Sequence, residues 1–463
     1  MALSSGAMDN FVNTSTIAAI ATAQGAAGVA IVRLSGPRAL AIACELSGKV
    51  DLQPRQAVYA RALASDGSLI DQGVLIYFKA PNSFTGEEVV EFQGHGGVQL
   101  PRLVLARCFE LGAVQAGPGE FSARAYLNNK MDLLQAESIA DAIHASSEAA
   151  ARGAVRSLSG EFSSRVDALL ADLIHLRLYV ESSIDFPDEE GVEFLGDQQL
   201  SGLLGKVEVD LESLARAAKQ GQLLRDGANL VIAGLPNAGK SSLLNALAGV
   251  DRAIVTSEAG TTRDVLTEHL LIDGLALNVT DTAGLRDTDN LAEQIGIERA
   301  RAAIQAADLL LVVFDVTQIS DPFAHAQALL QTDTETEFDP SRLLLVANKV
   351  DLLETNPHNQ DQNLLSISAK HGAGLDRLKN AIHERIGFDP QPDALIARTR
   401  HLDALLRVSG FVEEARTQLS IYASGELAAE SLRLAQEALS EITGEFTSDD
   451  LLGEIFGSFC IGK

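Results

Sequence analysis

At ~150 residues per domain, a chain of 463 residues has room for about three domains and sizeable cores. Its 63 acidic and 36 basic side chains leave a formal charge of −27, which excludes a generic basic nucleic-acid coat and leaves only a local or partner-borne basic patch. A composition of 46% hydrophobic and 21% charged residues excludes wholesale disorder.

Cys44, Cys108 and Cys460 are too few and too scattered for a disulfide framework, so a reducing compartment is expected. Met1 to Phe11 carries no Lys or Arg ahead of an apolar stretch, and runs such as Leu309 to Phe314 fall far short of the ~18 residues that span a bilayer. The expected location is therefore cytoplasmic, with no membrane partner, and Met8 is an alternative start.

From Thr16 to about Gly117, short β-type runs alternate with glycine-rich turns, as in Val29 to Leu34, Val74 to Phe78 and Val89 to Phe92. Helical patterns at Ala39 to Leu46 and Val98 to Leu111 make this portion α+β. From about Ser122 to Arg225 the apolar period becomes 3.6 residues, as in Leu133, Ala136, Ile139, Ala140 and Ile143, with one break at Phe186-Pro187. From about Ala228 to Gly387, strands alternate with helices in the manner of a mainly parallel α/β sheet. Those strands are Leu230 to Ala233, Leu275 to Thr280, Leu309 to Asp315, Leu343 to Ala347 and Leu364 to Ser368. Helical texture returns beyond Pro392 and runs to Ile442, so the α/β portion reads as an insertion into a helical domain. The acidic stretch Thr332 to Asp339 reads as a solvated loop.

The run Gly234-Leu235-Pro236-Asn237-Ala238-Gly239-Lys240-Ser241-Ser242 follows a strand and precedes the helical Leu243 to Leu247. It matches the phosphate-loop pattern in its strand–loop–helix context: backbone N–H groups cradle phosphates, Lys240 supplies a charge near the β- and γ-phosphates, and the Ser241 hydroxyl is a Mg²⁺ ligand. Asp281-Thr282-Ala283-Gly284 places a carboxylate for the Mg²⁺ shell and a glycine N–H for the γ-phosphate. In Asn348-Lys349-Val350-Asp351, the aspartate can accept from guanine's N1–H and exocyclic amine, a donor pair that adenine lacks. Ser368-Ala369-Lys370 closes the base pocket, and the set specifies a GTPase rather than an ATPase. The loop Thr256-Ser257-Glu258-Ala259-Gly260-Thr261-Thr262-Arg263-Asp264 is where a γ-phosphate sensor belongs, with Thr262 the second Mg²⁺ hydroxyl ligand. The glutamine that orients water in Ras-like enzymes is replaced by Leu285, and Glu293 is the nearest carboxylate beyond the run Arg286 to Asn290 that could take that role.

Further segments belong to no generic GTPase: Gly28-Val29-Ala30-Ile31-Val32-Arg33, Pro81-Asn82-Ser83-Phe84-Thr85-Gly86-Glu87, Gln93-Gly94-His95-Gly96-Gly97, Pro118-Gly119-Glu120-Phe121-Ser122, Asp185-Phe186-Pro187-Asp188-Glu189-Glu190 and the terminal Cys460-Ile461-Gly462-Lys463. On these and the GTPase set, the chain resembles the MnmE (TrmE) family of tRNA modification GTPases over essentially its full length. The resemblance implies a multidomain α/β plus α architecture. An α+β tetrahydrofolate-binding-like and dimerisation domain would occupy 1–121, a discontinuous helical domain 122–226 and 389–463, and an inserted Ras-like G domain 227–388.

It also implies K⁺-stimulated GTP hydrolysis in a homodimer whose G domains meet across their nucleotide faces. With the FAD protein MnmG, in a heterotetramer, such members add an aminomethyl or carboxymethylaminomethyl group to C5 of the wobble uridine of certain tRNAs, using a methylene-tetrahydrofolate carbon. FAD enters only through the partner. The K⁺ site falls on Asn237, Thr256, Glu258 and Thr261, of which Glu258 departs from an expected apolar residue, and Glu293 falls on the water-orienting glutamate. Folate positions fall on Arg33, Glu91 and Lys130, with Lys463 reaching the same region; 5-formyl-tetrahydrofolate is the expected analogue.

His95 has no partner legible in the sequence and is expected to be structural. Cys460 reads either as a reactive thiol or as a small packed hydrophobe. Arg398, Arg400 and Arg407 are the local basic positions through which this acidic chain could touch tRNA, most of the grip being expected from the two-protein complex. A rival reading is a ribosome-assembly GTPase of the Era or EngA kind, which shares the G motifs without the N-terminal segments or the Cys-Ile-Gly-Lys ending.

Overall fold

The computed structural model describes residues 15–185, 198–249, 267–281, 302–319, 321–324, 339–353, 364–389, 394–445 and 449–462. The chain gathers into two compact units, one of residues 1–140, 157–211 and 404–463, the other of residues 141–156 and 212–403.

The first unit holds a six-stranded sheet of β1 (Ile17–Ile20), β2 (Ala30–Ser35), β3 (Ala57–Leu63), β4 (Leu69–Phe78), β5 (Val89–Gly94) and β6 (Val114–Gln115), in the order β3-β4-β5-β2-β1-β6. It is antiparallel except where β1 meets β6. Alternation along the strands sorts its two faces. Val32, Leu34, Leu75, Val90 and Phe92 pack in one core with residues of helices α1 (Ala39–Ser47) and α2 (Leu100–Glu110). Arg33 and Glu91 are cross-strand partners between these core positions and therefore share the other face.

Helix α3 (Glu120–Leu127) is tied to the C-terminal helix Asp449–Gly457 through a cluster of Ala123, Leu133, Ala136, Leu452, Ile455, Phe456 and Phe459. Farther along the unit, helix Glu161–Asp185 packs on helix Gly425–Thr443, where a Cβ on Gly425 would stand 2.8 Å from Ile184. The helical texture expected to end at Ile442 thus resumes in a further helix.

The second unit carries β7 (Ala228–Ala233), β8 (Thr267–Ile272), β9 (Leu275–Asp281), β10 (Leu309–Asp315), β11 (Leu343–Asn348) and β12 (Leu364–Ser366), in the order β12-β11-β10-β7-β9-β8. All pairings are parallel except β8–β9. Every residue of β10 is buried: Leu309, Leu311 and Val313 join one core cluster, and Leu310, Val312 and Phe314 join the other. Such two-sided burial explains the unbroken apolar run in the sequence. Helices α4 (Lys240–Leu247) and α5 (Leu375–Ile386) contribute Leu243, Leu247, Leu378 and Ile382 to the first cluster. Four strands were not legible as such: β1, β3, β6 and β8, the first a short alanine-rich run, β3 burying only the alanines Ala60 and Ala62, β6 exposed, and β8 half of an antiparallel hairpin.

Candidate functional site

The phosphate loop leaves β7 and enters α4, and its backbone is one that few residues other than glycine could follow. Gly234 has φ +152, and a Cβ there would stand 2.1 Å from the Val313 carbonyl oxygen; Gly239 has φ +94, and a Cβ would meet the Asn348 amide nitrogen at 2.1 Å. Asn237 also takes a left-handed conformation, φ 63, with its side chain exposed. Lys240 is buried, and its ammonium group donates to the carbonyl oxygens of Gly234 (2.9 Å) and Leu235 (3.1 Å). Neutral carbonyls hold the charge without cancelling it, so it stays available to a phosphate. Ser241 and Ser242 lie exposed in the first turn of α4, where backbone donors and the helix dipole favour anions.

Asn348 ends β11 and is 2% exposed. Its amide nitrogen donates to the Ala238 carbonyl (3.0 Å), and its amide oxygen accepts from the Ala369 N–H (3.0 Å). One side chain thereby spans the phosphate loop and the Ser368-Ala369-Lys370 turn. Ser368 donates from its hydroxyl to Asp351 Oδ1 at 2.6 Å, and this hydrogen bond holds the Asp351 carboxyl below the ordinary aspartate range. Asp351 is thus kept ionised as an acceptor.

Lys349, at φ 68, donates to Asp315 Oδ2 at 2.7 Å. Asp315 also accepts from the Thr317 backbone (3.0 Å) and hydroxyl (2.7 Å). Burial pushes the Asp315 carboxyl up, but Lys349 and Thr317 outweigh it and hold the group below its usual value. Sequence reasoning ended a strand at Asp315 without giving it a role. Its role follows from the register of β10 with β11, which sets it opposite Asn348, the residue before Lys349. Asp281 closes β9 in register with Ile232 of β7, so its backbone flanks the strand that feeds the phosphate loop. These groups gather at the carboxyl ends of parallel strands, where ligands bind in open α/β sheets.

In the first unit, Arg33 donates to Glu91 Oε1 from Nε (3.0 Å) and from a terminal nitrogen (2.9 Å). Its guanidinium carbon lies 5.5 Å from the Phe84 ring centre and 5.6 Å from that of Phe121, within cation–π range. Lys130 donates to the Pro81 carbonyl at 3.0 Å, on the loop that carries Phe84. The ending Cys460-Ile461-Gly462 reaches the same sheet. Ile461 bridges Pro118, the Gly119 N–H bonds the Cys460 carbonyl at 3.4 Å, and a Cβ on Gly462 would meet the Ile20 carbonyl oxygen at 2.4 Å.

Residues 133–460 match the model of the MnmE helical domain, and residues 16–130 match that of the GTP-binding protein TrmE N-terminus. The chain is 55% identical to the tRNA modification GTPase MnmE of Psychrobacter sp. (strain PRwf-1), over 97% of this chain and 100% of that protein. The chain belongs to the MnmE family of tRNA modification GTPases. It is accordingly a GTP hydrolase, with a fold that uses a guanine nucleotide and Mg²⁺. The MnmE proteins of Acinetobacter baumannii (strain AYE) and Pseudomonas aeruginosa (strain UCBPP-PA14) are 53% and 54% identical, over 98% and 97% of this chain and 100% and 99% of theirs.

One sequence expectation is sharpened and two need correction. His95 does have a partner: its ring Nδ1 lies 2.7 Å from Asp71 Oδ1 and its backbone N–H donates to Asp71 Oδ2 at 2.9 Å, with Asp71 6% exposed. Cys460 is exposed and free, so the packed-hydrophobe reading fails; the buried residue at that junction is its neighbour Phe459. Arg398 and Arg407 are committed to acidic partners, Arg398 to Asp141 at 2.9 Å and Arg407 to Glu441 at 2.5 Å, and Arg400 is partnered too, so none is a free cation for RNA. Thr256, Ser257, Glu258, Ala259, Gly260, Thr261, Thr262, Thr282, Ala283, Gly284, Leu285, Glu293 and Lys463 lie outside the described residues. Among the described residues no helix is long and apolar enough to cross a membrane.

Proposed function

We propose that this chain is the GTP-hydrolysing component of a two-protein machine that, with the FAD protein MnmG, modifies C5 of the wobble uridine in certain tRNAs, using a methylene-tetrahydrofolate carbon. The observation that carries this reading is the presence of two prepared sites on one chain similar end to end to MnmE proteins. One holds a bridged phosphate-and-guanine pocket, and the other an arginine set between two phenylalanines beside a carboxylate.

In the first site, Asp351 reads guanine, Asn348 keeps the base turn and phosphate loop at fixed spacing, and Lys240 exchanges its carbonyl partners for phosphate oxygens. Ser241 and Thr262 would hold Mg²⁺; the exposed Ser241 hydroxyl in the first turn of a helix suits that role. The exposed, left-handed Asn237 fits a cation site shared with Thr256, Glu258 and Thr261, where K⁺ would neutralise charge developing on the phosphates. Glu293 orients the attacking water.

In the second site, Arg33 and Lys130 bind the carboxylates of the folate tail, Glu91 accepts from the pterin, and Lys463 completes the set. The domains follow as 1–121, 122–226, 227–388 and 389–463, and the chain works as a homodimer within a heterotetramer. Because the surface is acidic and Arg398 and Arg407 are paired, tRNA binding by this chain alone is weak and salt-sensitive, with the main grip in the complex.

The test is mass spectrometry of tRNA nucleosides from a deletion strain. Loss of C5-substituted wobble uridines, restored by the wild-type chain and not by Glu293→Ala, is expected. Unchanged nucleosides with a ribosomal-subunit defect would overturn the reading in favour of a ribosome-assembly GTPase.

A further inference from the structure

Arg124 is the largest fully buried side chain among the described residues, on α3 of the first unit. A buried guanidinium is retained only with full pairing, and Arg124 has it. Its Nε and one terminal nitrogen donate to Glu120 Oε1 at 3.2 and 2.7 Å; the other terminal nitrogen donates to the Ser15 carbonyl at 2.9 Å and to both oxygens of Glu87 at 3.2 Å. The acceptors are tied in turn. Glu87 Oε2 accepts from the Ser35 hydroxyl at 2.7 Å, Ser35 and Thr85 share a hydrogen bond of 2.7 Å between their hydroxyls, and Glu120 Oε2 accepts from the Gly117 N–H at 2.7 Å.

Each arm of this network ends beside a residue of the Arg33 face. Ser35 is two positions from Arg33 on β2, Thr85 adjoins Phe84, and Glu120 adjoins Phe121. Asn128, on the turn after α3, donates to the Thr85 carbonyl at 2.7 Å, just before Lys130 donates to Pro81 on the same loop. Three chain segments that share no regular hydrogen-bond ladder at this point are joined by one planar five-donor group.

We propose that Arg124 is a positioning residue for the folate-binding face, holding Phe84 and Phe121 against Arg33 so that the pocket is set before its ligand arrives. The proposal rests on the folate reading of that face. Lysine cannot replace the arginine, because a single ammonium lacks the fork that spans Glu120, Ser15 and Glu87 at once.

The test is calorimetric titration of 5-formyl-tetrahydrofolate into full-length protein, as wild type, Arg124→Lys and Glu87→Gln, with GTP hydrolysis measured on the same samples. Expected is a loss of folate affinity of about tenfold or more in both variants, with GTP hydrolysis within about twofold of wild type. In a Phe84→Ala background the penalty of Glu87→Gln should shrink, because its effect passes through that ring. Should Arg124→Lys fail to fold, Glu87→Gln decides, since it leaves the arginine paired to Glu120. Folate affinity within about twofold of wild type in folded Glu87→Gln, or a loss that GTP hydrolysis follows in step, would overturn the proposal and leave the folate reading standing. No binding to the wild type would take both.

Discussion

The phosphate loop and the Arg33 face each keep a cation waiting, and they keep it differently. Among the described residues, Lys240 is held by the neutral carbonyls of Gly234 and Leu235, which sequester its charge without cancelling it. Arg33 is already neutralised by Glu91 across the strand pair, the side chains being 21% and 14% exposed. A ligand at the first site gains a charge partner that the described residues meet with neutral carbonyls alone. At the second it must compete with, or bind alongside, an existing ion pair, and the flanking rings supply much of the attraction. Affinity in the nucleotide pocket should therefore hinge on single polar atoms, and affinity at the Arg33 face on shape and stacking.

The sharpest way to break that comparison is Asp351→Asn. Replacing the carboxylate with an amide puts a donor where guanine also offers donors, and a mismatch of that kind against the bound base costs about 100-fold or more in affinity. GTP binding should fall by that amount while xanthosine nucleotides, which carry an oxo group in place of the exocyclic amine, bind better than to wild type. Equal GTP affinities in wild type and variant would show that Asp351 does not read the base.

The same contrast governs what could be read from the chain alone. The nucleotide pocket was legible because its backbone demands are local: glycines at 234 and 239, and one strand-ending segment, 348–351, each carry their chemistry within a few consecutive residues. Asp315 escaped because its role depends on the pairing of β10 with β11, which no local pattern announces. At the Arg33 face, resemblance supplied Arg33, Glu91 and Lys130, but not the rings of Phe84 and Phe121 or the buried Arg124, which come together only when β2, the loop 81–87 and α3 meet. The partner of His95 was likewise out of reach, Asp71 lying on β4 and His95 just after β5. The parallel strands of the second sheet were easy to place because two-sided burial gives unbroken apolar runs, whereas β3, which buries only small alanines, and the exposed β6 offer little hydrophobic signal.

A smaller effect should follow from Arg33→Met. The change removes a cation between two rings and leaves Glu91 without its partner, so folate affinity should drop about tenfold and the folded state should lose about 1 kcal/mol, measured by titration calorimetry and thermal unfolding. Adding Glu91→Met should recover stability without recovering affinity, because an ion pair replaced on both sides costs little whereas a missing ligand contact stays missing. If the double variant regained folate affinity, the pair would be a structural latch and the face would need another ligand.

The smallest effect, and the most specific to the nucleotide pocket, concerns acid. The Ser368 hydroxyl holds the Asp351 carboxyl below the ordinary aspartate value, and His371, 3.7 Å away, adds to this when protonated. A carboxyl depressed in the folded protein stays ionised above that lowered value, and its contribution disappears only as pH falls through it. Ser368→Ala removes the largest cause, so the midpoint must move up toward the ordinary aspartate value of about 3.9. GDP affinity followed by fluorescence across the acid range should then begin to fall at a higher pH in the variant, while the two proteins bind alike near neutrality, where Asp351 is ionised in both. A loss of affinity of the same size at every pH would mean that Ser368 acts by shaping the turn at Ala369 rather than by tuning the carboxylate, and would break the claim that this pocket works through individually tuned polar atoms.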